Sequence, residues 1–133
     1  MAFINLHQHS EYSNASTVLD STIKIEQVAP TAFDLGWSGV ALTDHNIMGG
    51  HLRFLNSVKD IREAGEQALK ENPNDREAQR AANFKGVLGT EVYLSQEGQS
   101  RETHQKGDRF YHFVLLAKDR TGWEQLNKLS QLS

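Results

Sequence analysis

Phe3-Ile4-Asn5-Leu6-His7-Gln8-His9 is an apolar run that ends in two histidines spaced two residues apart. On an extended strand, residues i and i+2 point to the same face, so the two imidazoles stand side by side where the strand ends. Such a pair has metal-ligand geometry, although His-x-His also occurs on ordinary half-exposed strands. The pattern then recurs along the chain. Val40-Ala41-Leu42 runs into Thr43-Asp44-His45, and Val87-Leu88-Gly89 and Val92-Tyr93-Leu94 bracket Glu91.

Between these runs the apolar residues take the helical period. Phe3 to His7 reads as the first strand and Thr22 to Leu35 as a helix, with Ile23, Val28, Ala32, Phe33 and Leu35 available for its buried side. Pro30 predicts a kink or a late start, and Gly36 a stop. After Gly49-Gly50 comes an amphipathic helix with Leu52, Leu55, Val58 and Ile61 on one stripe. Gly65 to Phe84 is polar and Ala-rich, interrupted by Asn72-Pro73-Asn74-Asp75, and reads as a helical excursion. Ser95 to Arg109 is a polar loop, and Phe110 to Ala117 a fourth strand. Thr121 to Leu132 is a final helix, with Thr121 as N-cap and Glu124 completing a capping box. Strands alternating with helices predict an α/β fold whose strands are mostly parallel.

The composition narrows the functional classes. Fourteen basic and seventeen acidic residues leave a net charge of −3, so no global basic field attracts nucleic acid. Contact with DNA must be local, or mediated by bound cations. There is no cysteine, which removes disulfides, thiolate zinc sites and thiol nucleophiles together. No apolar stretch is long enough to span a membrane, and the sequon Asn14-Ala15-Ser16 has no secretory context. The expected location is the cytoplasm.

In parallel α/β architectures, functional groups gather at the carboxyl ends of strands. Three strand ends carry potential ligands here: His7 and His9, Asp44 and His45, and Glu91. His112 joins them from the fourth strand, although it sits early in its run. Imidazoles and carboxylates without thiolate suit zinc, manganese or iron, and a bridging carboxylate suits a site with more than one ion. Each residue also has a plain structural role open to it. Asp44 can cap a turn, Glu91 can pair with a lysine, and His112 can be a satisfied core histidine. Recurrence at successive strand ends is what those roles leave unexplained.

His7-Gln-His-Ser-Glu-Tyr-Ser13, Ala41-Leu-Thr-Asp-His45, Gly89-Thr-Glu-Val-Tyr93 and Tyr111-His-Phe-Val-Leu-Leu-Ala-Lys118 together resemble the PHP (polymerase and histidinol phosphatase) domain. The likeness is to the version at the N-terminus of the bacterial DNA polymerase III alpha subunit, and it runs from Phe3 to about Ser130. It implies a distorted (β/α) barrel with two or three divalent metal ions (zinc, manganese or iron) in its mouth. It also implies phosphoesterase chemistry by metal-activated water, including 3′–5′ proofreading exonuclease activity in some polymerase-attached versions. Other versions only scaffold replisome proteins, so a catalytically inactive interaction module is the alternative.

Carried over by motif, the implied ligands are His7, His9, Asp20, His45, Glu91 and His112. Asp44 would orient the site from behind the ligands. The Asp20 match spans several extra residues after Ser13, and Ser21 replaces the family's usual glycine. The implied substrate is DNA or another phosphate ester reached through the metals, with His104 and Arg109 as candidate phosphate contacts. His51 reads as a solvated residue near a helix start, and Trp37 and Trp123 as packing residues. A closed barrel needs roughly 200 residues. The chain is therefore expected to be the N-terminal portion of a PHP domain over 1–133, with a helical insertion around 65–84 and exposed edges that favour self-association.

Overall fold

The computed structural model describes residues 3–14, 19–95 and 110–132. In chain order the elements are β1 (Ile4–Asn5), a 3-10 turn (Glu11–Asn14), α1 (Ile25–Asp34), β2 (Gly39–Leu42) and α2 (His51–Glu71). They continue with α3 (Arg76–Ala82), β3 (Lys85–Ser95), β4 (Phe110–Leu116) and α4 (Arg120–Leu132). The strands form one curled sheet in the order β1-β2-β3-β4, a half-barrel of the expected α/β class. β1, β2 and β3 are mutually parallel, whereas β4 runs antiparallel to β3. No described helix is long and apolar enough to cross a membrane.

β3 holds the sheet together because it is long enough to serve two partners. Its first half pairs with β2, Gly39 to Leu42 lying opposite Lys85 to Leu88. Its second half pairs with β4, Gly89 to Ser95 lying opposite Leu116 to Phe110. β2, flanked by a parallel strand on each side, is buried along its whole length, which is why it reads as an unbroken apolar run. One core joins Ile25, Val28, Ala29 and Ala32 of α1 to Val40 and Leu42 of β2, Phe54 and Val58 of α2, and Phe84.

Several expectations are corrected. The first strand has two residues rather than five, and as an edge it leaves Phe3, Ile4 and Leu6 exposed. α1 starts at Ile25, because the preceding residues belong to the loop: Glu11 N–H donates to Ile23 O and Ser21 N–H to Asn14 Oδ1. Pro30 thus falls in the second turn, and Leu35 is exposed beyond the helix end. Gly36 does supply the stop, at φ +78°. The last helix is capped by Asp119, whose Oδ1 accepts from Gly122 N–H, and not by Thr121; Glu124 pairs with Arg120 instead. Residues 96–109, including His104 and Arg109, lie outside the described residues.

Of the stripe expected on α2, Val58 is buried and Ile61 packs against the core, but Leu52 and Leu55 are exposed. His51, Phe54, Val58 and Gly65 face inward, while Leu52 is 71% exposed. His51 is 3% exposed rather than solvated. Its Nε2–H donates to Gly89 O at 3.0 Å, and its Nδ1 accepts from Trp123 Nε1–H at 3.2 Å. These partners fix the neutral tautomer and tie α2, β3 and α4 together.

The excursion is built as its composition suggests, with Asp75 Oδ1 accepting from Glu77 and Ala78 N–H to start α3. Gly65 is a contact point between α2 and α3, not a boundary. A Cβ there would lie 2.5 Å from Ala82 N and 2.8 Å from Ala78 O. Arg80 then anchors α3 to α1: its guanidinium sits 3.7 Å over the Phe33 ring and donates to Phe33 O.

Two stability predictions follow from these contacts. Gly65→Ala forces the backbones of α2 and α3 apart and costs about 1–3 kcal/mol by chemical denaturation; an unchanged midpoint refutes the close-approach reading. Burial holds the His51 imidazole below its ordinary value of 6.5, against the hydrogen bond to Gly89 that raises it. The unfolded chain therefore binds the extra proton first on acidification. The contribution of His51 is complete above about pH 6.5 and is lost as pH falls through its lowered folded value. Denaturation midpoints between pH 5 and 8 should show a shallower acid decline in His51→Gln than in the parent chain; parallel curves would refute this.

Candidate metal centre

The chain leaving β1 is not a regular strand beyond Asn5, yet it stays extended because Gln8 is clamped to the end of β2. Thr43 N–H donates to Gln8 O at 2.9 Å and Gln8 N–H to Thr43 Oγ1 at 3.1 Å. With Gln8 so held, His7 and His9 turn to the other side together, their Nε2 atoms 3.0 Å apart. Past the end of β2, His45 makes an isolated parallel bridge to Glu91. Asn46 follows in the left-handed region at φ 50°, a conformation asparagine tolerates, and its N–H donates to Glu91 O.

Six groups converge at this rim. Glu91 Oε2 lies 2.6 Å from His7 Nε2 and 2.8 Å from His9 Nε2. Glu91 Oε1 faces His112 Nδ1 in close contact and His45 Nδ1 at 4.0 Å. His9 turns its other nitrogen, Nδ1, to Asp20 Oδ2, which lies 3.8 Å from His45 Nε2. The result is three overlapping donor triads: His7–His9–Glu91, His9–Asp20–His45 and His45–Glu91–His112, with the ligand atoms of each within 4.8 Å of one another. All six residues expected from the sequence are thereby brought together.

The early position of His112 follows from the topology. β4 is antiparallel, so its beginning lies at the rim where the parallel strands end. Register places His112 opposite Tyr93, one step along from Glu91. Glu91 itself sits mid-strand in β3 and not at a strand end, because β3 continues past the rim to pair with β4.

Asp44 is adjacent but separate. Its buried carboxylate accepts from Ser10 N–H (2.6 Å), Ser10 Oγ–H (2.8 Å) and Ser13 Oγ–H (2.7 Å). Its carbonyl accepts from Glu91 N–H and Thr90 Oγ1–H. Asp44 thus binds the turn after His9 to the middle of β3. The serines and Thr90 were not legible as site residues, since hydroxyls spaced this way carry no distinctive pattern.

The electrostatics suit cations. Burial pushes the Glu91 carboxyl up, but hydrogen bonds from His7 and His9 and the charge of His45 outweigh it and leave the carboxyl below its ordinary value. Burial lowers His45, with Glu91 pulling the other way and His9 reinforcing the burial. An ionised carboxylate beside a neutral His45 imidazole is the ligand form of both groups. Two buried atoms, Glu91 Oε1 and His45 Nδ1, have no hydrogen bond. A buried polar atom without a hydrogen bond is costly. Their nitrogen and oxygen character fits a borderline divalent cation, and Glu91 belongs to two of the three triads.

The family model described as PHP domain matches residues 5–133. The DNA polymerase III subunit alpha of Treponema pallidum is 33% identical over 131 residues, 98% of this chain and 9% of that protein. The probable DNA polymerase YorL of Bacillus subtilis is 33% identical over 129 residues, 96% of this chain and 9% of that protein. A DNA polymerase III subunit alpha of Helicobacter pylori is 32% identical over 134 residues. The chain therefore spans about a tenth of the length of the relatives it matches. By the extent of the family match, and with its histidines and carboxylates gathered at one rim of the half-barrel, the chain belongs to the PHP domain family.

Proposed function

We propose that this chain holds divalent metal ions on His7, His9, Asp20, His45, Glu91 and His112, and that the site hydrolyses phosphate esters. The setting we propose is a DNA polymerase III alpha chain, with the 3′ end of DNA as the natural substrate and a proofreading-type exonuclease reaction as its use. The chain would then be the N-terminal portion of such a domain, and the α2–α3 excursion an insertion in it. The convergence of six donors into three overlapping triads is the observation that carries this reading.

Bound cations, whether zinc, manganese or iron, supply Lewis acidity: they acidify a water near neutral pH and neutralise charge on the phosphate. The protein supplies the rest. Glu91 belongs to two triads and would be shared between the ions they hold, while the Gln8–Thr43 clamp keeps His7 and His9 aimed at it. Asp44 touches none of the reacting groups; it keeps the His9–Ser13 turn against β3. His51 lies outside the site, bonded to Gly89 O and Trp123.

A second reading, a non-hydrolytic interaction module of a replisome, is favoured by β4. Among the described residues it pairs on one side alone, and it leaves Tyr111 and Phe113 exposed. Sedimentation over a range of concentrations separates the two. A compact monomer at all concentrations removes self-association through this edge.

Metal analysis after loading with manganese or zinc should give more than one ion per chain. His7→Ala combined with His9→Ala breaks two triads and leaves His45–Glu91–His112, so the stoichiometry should fall to one or less; a parent chain that retains no metal overturns the proposal. The metal-loaded chain should hydrolyse a generic phosphodiester, and chelation should abolish turnover. No turnover with metal verifiably bound sinks hydrolysis by this chain. Asp44→Asn replaces an acceptor oxygen with an NH2 group facing serine donors. It should weaken metal affinity about 10- to 100-fold by calorimetric titration, and unchanged affinity would show that Asp44 does not position the ligands.

A further inference from the structure

Beyond the metal ligands, the rim carries an aromatic surface that metal binding does not require. Side chains alternate along a strand, so Glu91 and Tyr93 of β3 share a face. Tyr93 is paired in register with His112, and Phe110 comes one alternation further along β4 on the same face. The Tyr93 ring lies parallel to the His45 imidazole, 5.6 Å between centroids and 4° between planes. His112 and Phe110 meet it edge-on, at 4.7 and 6.4 Å. Despite these contacts Tyr93 remains 47% exposed. A large aromatic ring thus stands open to solvent directly beside two donor triads.

We propose that Tyr93, flanked by Phe110, is a stacking platform for the base of the nucleotide whose phosphate lies at the metal centre. This rests on the reading of the rim as a phosphoester site and names the substrate class: nucleotides and nucleic-acid ends, in preference to phosphate esters without a base. Two residues along a strand span about 7 Å, so Tyr93 stands one such step from Glu91. Stacking is tolerant of base identity because every base has a π-face. It also supplies an affinity that a chain of net charge −3 cannot draw from a basic groove.

The competing role for Tyr93 is to prop the His45 ring. That role predicts equal effects on all phosphate ligands, so the readout is a ratio. Manganese-loaded protein is titrated with thymidine 5′-monophosphate and with 2-deoxyribose 5-phosphate. The parent chain should prefer the nucleotide by about tenfold. Tyr93→Phe should keep the preference, while Tyr93→Ala, and Tyr93→Leu if alanine perturbs the fold, should erase most of it. No preference in the parent chain, or a preference that survives Tyr93→Ala and Tyr93→Leu, overturns the platform. The measurement is made at equilibrium. A chain that binds the nucleotide selectively but turns over no ester refutes hydrolysis and leaves the platform standing, whereas turnover without selectivity does the reverse.

Discussion

Two buried carboxylates sit on directly hydrogen-bonded backbone positions, and the structure depends on how differently they are satisfied. Asp44 is answered entirely from within the protein, by one backbone N–H and two serine hydroxyls. Glu91 is answered by imidazoles: two share Oε2, and two face Oε1 without making a hydrogen bond to it. Burying a carboxylate without adequate partners costs several kcal/mol. The first carboxylate therefore acts as a fastener and the second as the hub of a site. The link between them is a backbone hydrogen bond from Glu91 N–H to Asp44 O, which sets hub and fastener in register.

Around that link the sheet changes direction. The parallel strands deliver His7, His9 and His45 to the rim from one side, and the antiparallel β4 returns His112 to it from the other. β3 serves both halves because it is long, and Glu91 sits just past the point, between Leu88 and Gly89, where it changes partners from β2 to β4. The same alternation that turns Glu91 inward turns Tyr93 toward the rim. The fold thereby couples a polar cluster to an aromatic surface without any extra element.

Away from the rim, packing is arranged so that helices reinforce the strands that carry ligands. His51 ties α2 to Gly89, two residues before Glu91, and Trp123 of α4 completes that contact. The α2–α3 excursion is held separately, through close contact at Gly65 and through Arg80 on the end of α1. Changes there should affect stability more than metal affinity, because no residue of the excursion contributes to a triad.

The sequence by itself determined the element order, the α/β class and the six residues that meet at the rim. The first two follow from local periodicity, and five of the six residues from short motifs in or after apolar runs; Asp20 follows from the family resemblance alone. It misjudged the inward face of α2, where Leu52 looked better placed than Phe54 and His51 looked solvated. A 3.6-residue period gives the spacing of a stripe, but a long helix with apolar residues on adjacent rows does not say which row meets the sheet. It also misjudged the cap of α4 and the length of β1, which depend on neighbours distant in the chain. Tertiary structure alone decided that β4 runs backwards, that β3 changes partners partway along, and that Ser10 and Ser13 are the groups that answer Asp44. Each of those depends on which strand pairs with which and in what register, and pairing is settled by packing of the whole sheet.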